Sequence, residues 1–255
     1  MLPFFIGGIK LDLEILKTSF DEHAKKFDLT DSGIYRKYEH SKRVMYYSYK
    51  IAKDNNFSER DTEICIIAGL LHDYGRFEQW TKYHTYNDLE SFDHADLGVK
   101  LLFDYGEIKK FTLNEEYYDV IYDAIKYHNK FEIPAEISEY HKKIVKVIRD
   151  ADKIDICDVL KQKLTFEEDN CLVTRTINDN FYNHKPIDWN LVRNNSDAII
   201  LKLAIIYDLN YNYSYQYIYK NNFLDNMFNI LIYKDLYLEY FEYIKKYIEK
   251  RLEQC

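Results

Sequence analysis

Glycine and proline are scarce, with 7 Gly and 3 Pro in 255 residues. Sandwiches, barrels and glycine-rich phosphate loops all need frequent turn residues, so this scarcity excludes them and leaves an all-α fold. Cysteine is scarce as well. Cys65, Cys157, Cys171 and Cys255 form no CxxC pair and no framework spacing. Cys65 and Cys157 sit in apolar helical runs, which makes them small buried hydrophobes of a reducing compartment. Positive charge is in deficit: 35 Lys and Arg stand against 43 Asp and Glu, a net charge of -8. Binding to duplex nucleic acid works by neutralising phosphates, so that partner is excluded, while a local basic pocket for a small phosphate is not. No apolar run approaches the length of a membrane span. Residues 1–10 have too short an apolar run and no basic start for a signal peptide. These absences describe a cytoplasmic protein with no membrane partner.

The chain is long enough to bury a full-sized core, and its strongest feature is residues 64–71, an unbroken apolar run. Its length and lack of alternation favour a core helix over a strand. The run delivers His72, Asp73, Gly75 and Arg76 at its end. Gly75 supplies the exit from the helix and leaves Arg76 at the rim. An imidazole and a carboxylate in a core are costly unless paired or bound to a metal.

Elsewhere the same thing recurs. A first helix is expected over residues 11–27, with His23 solvated among charges. Over residues 35–55 His40 lies on the stripe of Val44, Tyr47 and Ile51. Ser58 starts the central helix, and a polar loop follows through Trp80, His84 and Asn87. Asp93 caps the next helix, on which His94 shares a face with Leu97, Gly98 and Leu101. Residues 115–130 set His128 below Ile121, Ala124 and Ile125, and Pro134 ends that segment. In the amphipathic helix over residues 144–163, Asp152 lies among Val145, Ile148, Ile156 and Val159. Residues 166–195 read as irregular, and helices follow over 196–209, 217–233 and 234–253. The tyrosine crowding of residues 207–247 fits core packing and a homodimer face better than an aromatic nucleic-acid platform. His84, His141 and His184, like His23, stand in polar surroundings and are expected at the surface.

His40, His72, Asp73, His94, His128 and Asp152 therefore all turn inward from five separate segments. Each buried polar group left unsatisfied costs about 1–3 kcal/mol, and a metal centre of one or two ions relieves that cost. Imidazoles plus carboxylates suit Mn, Fe, Co, Ni or Zn without choosing among them.

This ordered set resembles the HD-domain superfamily of metal-dependent phosphohydrolases. The likeness is carried by Leu70-Leu71-His72-Asp73-Tyr74-Gly75-Arg76-Phe77, Asp93-His94-Ala95, Tyr127-His128-Asn129 and Ala151-Asp152-Lys153-Ile154-Asp155. It covers residues 36–165. It implies one all-helical domain over residues 1–255, an HD helical bundle at 36–165 with a helical extension at 166–255 packed on it. It further implies that His40, His72, Asp73 and Asp152 hold a first metal. His94 and His128 match the extra histidines of two-metal members, in which the aspartate of the His-Asp pair bridges. Superfamily members that cleave cyclic di-GMP carry a His-His pair and a Gly-Tyr-Pro motif; here Tyr127-His128-Asn129 has one histidine and no such triplet follows.

The activity implied is hydrolysis of a small phosphate ester, a nucleotide or related phosphomonoester or diester, by metal-activated water. Asp73 is the natural bridge. Arg76 makes either forked hydrogen bonds to a phosphate or a surface ion pair. Lys153 either does the same or balances Asp150, and Asp155 is an acceptor for a ligand imidazole. Two other readings share the ligand order: a di-iron oxygenase, and a metal-stabilised module that senses a nucleotide and uses the tyrosine-rich helices as a partner surface.

Overall fold

A computed structural model describes residues 12–163 and 171–254 of the chain, and they are all-α, with no strand among the described residues. Expectations placed on residues 1–11, on residues 164–170 and on Cys255 lie outside the described residues, as does the side chain of Val159. The chain divides into two compact units, Met1–Ala151 and Asp152–Cys255. The division falls inside a long helix, residues 139–163.

The first unit is built from α1 (Leu13–Ala24), α2 (Ser32–Asp54), α3 (Glu59–Leu71), α4 (Arg76–Tyr83), α5 (His94–Val99), α6 (Tyr118–Tyr127) and the opening turns of α7 (Glu139–Lys163). Short polar side chains start these helices by accepting from otherwise orphaned N–H groups. Asp12 accepts from Glu14 and Ile15, Asp31 from Gly33 and Ile34, Ser58 from Asp61, and Asp93 from Ala95 and Asp96. α3 packs along α2 and is buried on every side from Thr62 to Leu71, which is why its sequence shows no polar face.

Residues 76–83 form α4, not the polar loop expected there. The chain turns tightly after α3, with Tyr74 N–H donating to Leu71 O and Arg76 N–H to Asp73 O, and a helix restarts at once. Its inner face is Phe77 and Gln79, both fully buried. A glutamine in a core breaks the apolar pattern, so the period is invisible to hydropathy. His23 is also misplaced by sequence reasoning. It is buried and stacks on Tyr74 with ring centroids 3.8 Å apart. Burial, then the neighbouring Lys26 ammonium, push its pKa down to about 3, against Glu107.

The second unit holds the rest of α7, α8 (Arg175–Tyr182), α9 (Asn195–Ala204), α10 (Asn212–Lys220), α11 (Phe223–Asn229) and α12 (Lys234–Glu253). α8 lies within the stretch expected to be irregular, held by buried Ile177 and Phe181. The single helix expected over 217–233 is two, broken at Asn222, whose φ of 50° is left-handed, a conformation asparagine tolerates. Tyr207, Tyr215 and Tyr237 join the core of this unit, as the core-packing reading of the tyrosines requires.

Candidate metal centre

Four helix ends and faces supply the buried cluster. His40 comes from the inner face of α2, His72 and Asp73 from the turn after α3, His94 from the first position of α5, and His128 from the position just after α6. All five are buried. Asp73 divides its oxygens between two pairs of rings. Its Oδ2 lies 3.3 Å from His40 Nε2 and 3.5 Å from His72 Nε2; its Oδ1 lies 3.2 Å from His94 Nε2 and 3.9 Å from His128 Nε2. Two overlapping groups result, His40-His72-Asp73 and Asp73-His94-His128, each with ligand atoms within 4.8 Å of one another.

The hydrogen bonds behind the rings decide what the front offers. His72 Nδ1 is 2.9 Å from Gly69 O and His128 Nδ1 is 2.6 Å from Ile125 O. A carbonyl can only accept, so each Nδ1 carries a proton, and in its neutral form each ring presents a lone pair at Nε2. His94 Nδ1 likewise donates to Asp88, 2.8 Å from Oδ2. His94 Nε2 and His128 Nε2 then face each other at 3.1 Å, lone pair to lone pair. That contact needs a cation, either a proton on one ring or a metal ion shared by both. The donor set of imidazole nitrogens and a carboxylate fits a divalent metal. Orientation of ligand rings by carbonyls and a carboxylate is the usual support of such sites.

Backbone packing holds this arrangement in place. Arg149, buried on α7, donates Nη1 to the carbonyls of Tyr127, His128 and Lys130, collecting the free end of α6 just where His128 projects. Gly75 touches α5 directly: a Cβ there would stand 2.2 Å from His94 O. Its φ of -72° is ordinary, so the glycine serves close approach rather than a left-handed helix exit.

Two site residues escaped sequence reasoning. Asp88, in a short 3-10 turn, joins His94, Arg76 (Nη1 2.7 Å), Gln79 (Nε2 2.8 Å) and Asn129. Burial pushes its carboxyl pKa up, but His94, Arg76 and Gln79 outweigh that and hold it below the ordinary carboxylate range. No local period marked it. Lys37 places Nζ 2.6 Å from Asp73 Oδ2. It lies one helical turn before His40, and that i, i+3 spacing is the signal that could have found it. Burial acts upward on Asp73 too, yet Lys37, His72, His40 and His94 keep its pKa well below the usual range.

Arg76 Nη1 donates to Asp88, Gln79 (2.5 Å) and the carbonyl of Tyr86 (2.7 Å), while its Nε lies 3.5 Å from Asp73 Oδ1. It therefore ties Asp73 to the loop that carries Asp88. Asp152, half-buried on α7, is the first residue of the second unit. Lys153 pairs its Nζ with Asp208 Oδ2 at 2.7 Å within that unit.

The family model for the HD domain matches residues 38–160. These residues form an HD domain. HD domains bind divalent metals. The match spans His40 to Asp152, so it includes every ligand position read from the sequence. No curated protein and no solved structure matches the chain. Among the described residues, no helix is long and apolar enough to cross a membrane.

Proposed function

We propose that the HD domain hydrolyses a small phosphate ester, a nucleotide or related phosphomonoester or diester, at a divalent-metal centre that Asp73 and the four histidines would hold. The observation that carries this reading is the split of Asp73, one oxygen toward each of two histidine pairs whose Nε2 atoms converge. His40, His72 and Asp73 would hold one ion, and Asp73, His94 and His128 the other; the family pattern alone adds Asp152. Bound ions supply an activated water and polarise the phosphoryl oxygens. The chain's own part is to keep the ligands rigid and dry. The rings are almost fully buried, the Nδ1 protons of His72, His128 and His94 are held by Gly69, Ile125 and Asp88, and Arg76 Nε lies 3.5 Å from Asp73 Oδ1.

The test is metal analysis of the purified protein, then assay against a panel of phosphomonoesters and phosphodiesters with added Mn, Co or Ni. Turnover is expected. Asp73→Asn should lower it by more than about 100-fold, the upper end for removing even an outer partner of a metal ligand. No turnover with any metal, or an unaffected Asp73→Asn, rejects the proposal. Two bound irons with substrate-dependent oxygen uptake would instead establish the oxygenase reading.

A further inference from the structure

The first turn of α2 is held by an aromatic clamp. Trp80 stacks on Tyr86 with centroids 4.6 Å apart and donates Nε1 to the Asp31 cap at 2.8 Å. The Tyr86 hydroxyl donates to Gly33 O at 2.7 Å. The indole lies so close to α2 that a Cβ at Gly33 would stand 2.1 Å from it. What this clamp presents is cationic. The Arg36 guanidinium carbon is 4.8 Å from the Tyr86 ring centroid, Lys37 Nζ is 5.0 Å away and the Arg76 guanidinium carbon 5.7 Å.

Of these three, Arg76 commits Nη1 to Asp88, Gln79 and the Tyr86 carbonyl and turns Nε toward Asp73 Oδ1 at 3.5 Å. Arg36 is exposed, and no carboxylate among the described residues lies within ion-pair distance of it. Lys37 has one carboxylate partner among them, Asp73 Oδ2. That is the oxygen that also faces His40 and His72. An ammonium group and a divalent cation cannot share one carboxylate oxygen without mutual repulsion.

We propose that Lys37 and Arg36 form the anion-binding arm of this centre, Lys37 exchanging Asp73 for a phosphate of the substrate when a metal ion takes Asp73 Oδ2. The proposal rests on the metal-dependent hydrolase reading and assigns the phosphate contact to α2. Arg76 becomes a positioning residue. A second consequence follows from the shared oxygen: Lys37 opposes the metal and attracts the anion, so removing it must move the two affinities in opposite directions.

The experiment measures metal affinity by chelator competition and, separately, binding of inorganic phosphate to the metal-loaded protein by calorimetry. Lys37→Met should tighten the metal and weaken phosphate, each by about 10-fold or more, the worth of one charged hydrogen bond. Lys37→Arg should restore phosphate binding, and Arg36→Met should weaken phosphate while leaving metal affinity unchanged. A merely structural Lys37 would loosen both ligands together, and that result overturns the proposal, as does unchanged phosphate binding in Lys37→Met. A wild type that binds no divalent cation overturns it as well. Because neither readout needs turnover, the opposite shifts in a protein that hydrolyses nothing would sustain the arm and reject the hydrolase reading alone.

Discussion

His94 can offer its Nε2 lone pair to a metal ion because Asp88 accepts from its other ring nitrogen, and Asp88 in turn is kept ionised by His94, Arg76 and Gln79. Removing Asp88 leaves the imidazole free to rotate or to change tautomer. Asp88→Ala is therefore expected to lower metal affinity about 10–100-fold in chelator competition, with the helical content unchanged. The inward turn of His40, His72, His94 and His128 was legible because each lies in register with apolar neighbours on its own segment. Asp88 was not. It occupies a polar loop with no period, and its role depends on a residue six positions away and on Arg76 from another element. His23 was misread for a related reason: its sequence neighbours are charged, but the helix turns its ring against Tyr74 and Phe77.

At the scale of elements, the crossing of the α3–α4 turn with α5 sets the site. Gly75 meets the backbone at His94 O, which no side-chain movement can relieve, whereas a Cβ at Gly98 would find only ordinary contacts, the nearest at 3.4 Å. Gly75→Ala should accordingly destabilise by about 1–3 kcal/mol or more through overpacking. Gly98→Ala, within α5, should be neutral or stabilise by a few tenths up to about 1 kcal/mol. Urea denaturation of the two variants checks the contrast; equal costs would mean that the backbone contact at Gly75 is not tight. The helix starts at Ser58 and Asp93 follow from cap chemistry, whereas α2 starts at the Asp31 cap, ahead of the expected residue 35. The α4 and α8 helices escaped sequence reasoning because tertiary burial of Gln79, Ile177 and Phe181 holds segments whose own patterns are polar.

For the whole molecule, an ion held by the cluster would make stability depend on metal. Ligands brought from α2, α3, α5 and α6 meet only in the folded chain, so an ion bound there stabilises the native state by mass action. Metal at about 100 times its dissociation constant should add about 2.7 kcal/mol, raising Tm by roughly 5–10 °C for a chain of this size. Thermal melts with and without chelator measure this, and Asp73→Asn should abolish the difference. The all-α class, the central buried helix and the inward rings were set by composition, period and residue type, all of which are local properties written along the chain. Tertiary structure alone decided that Asp73 splits its oxygens, that Lys37 pairs with one of them and that Asp88 accepts from His94. Those facts are distances between segments far apart in sequence, and no local pattern encodes a distance.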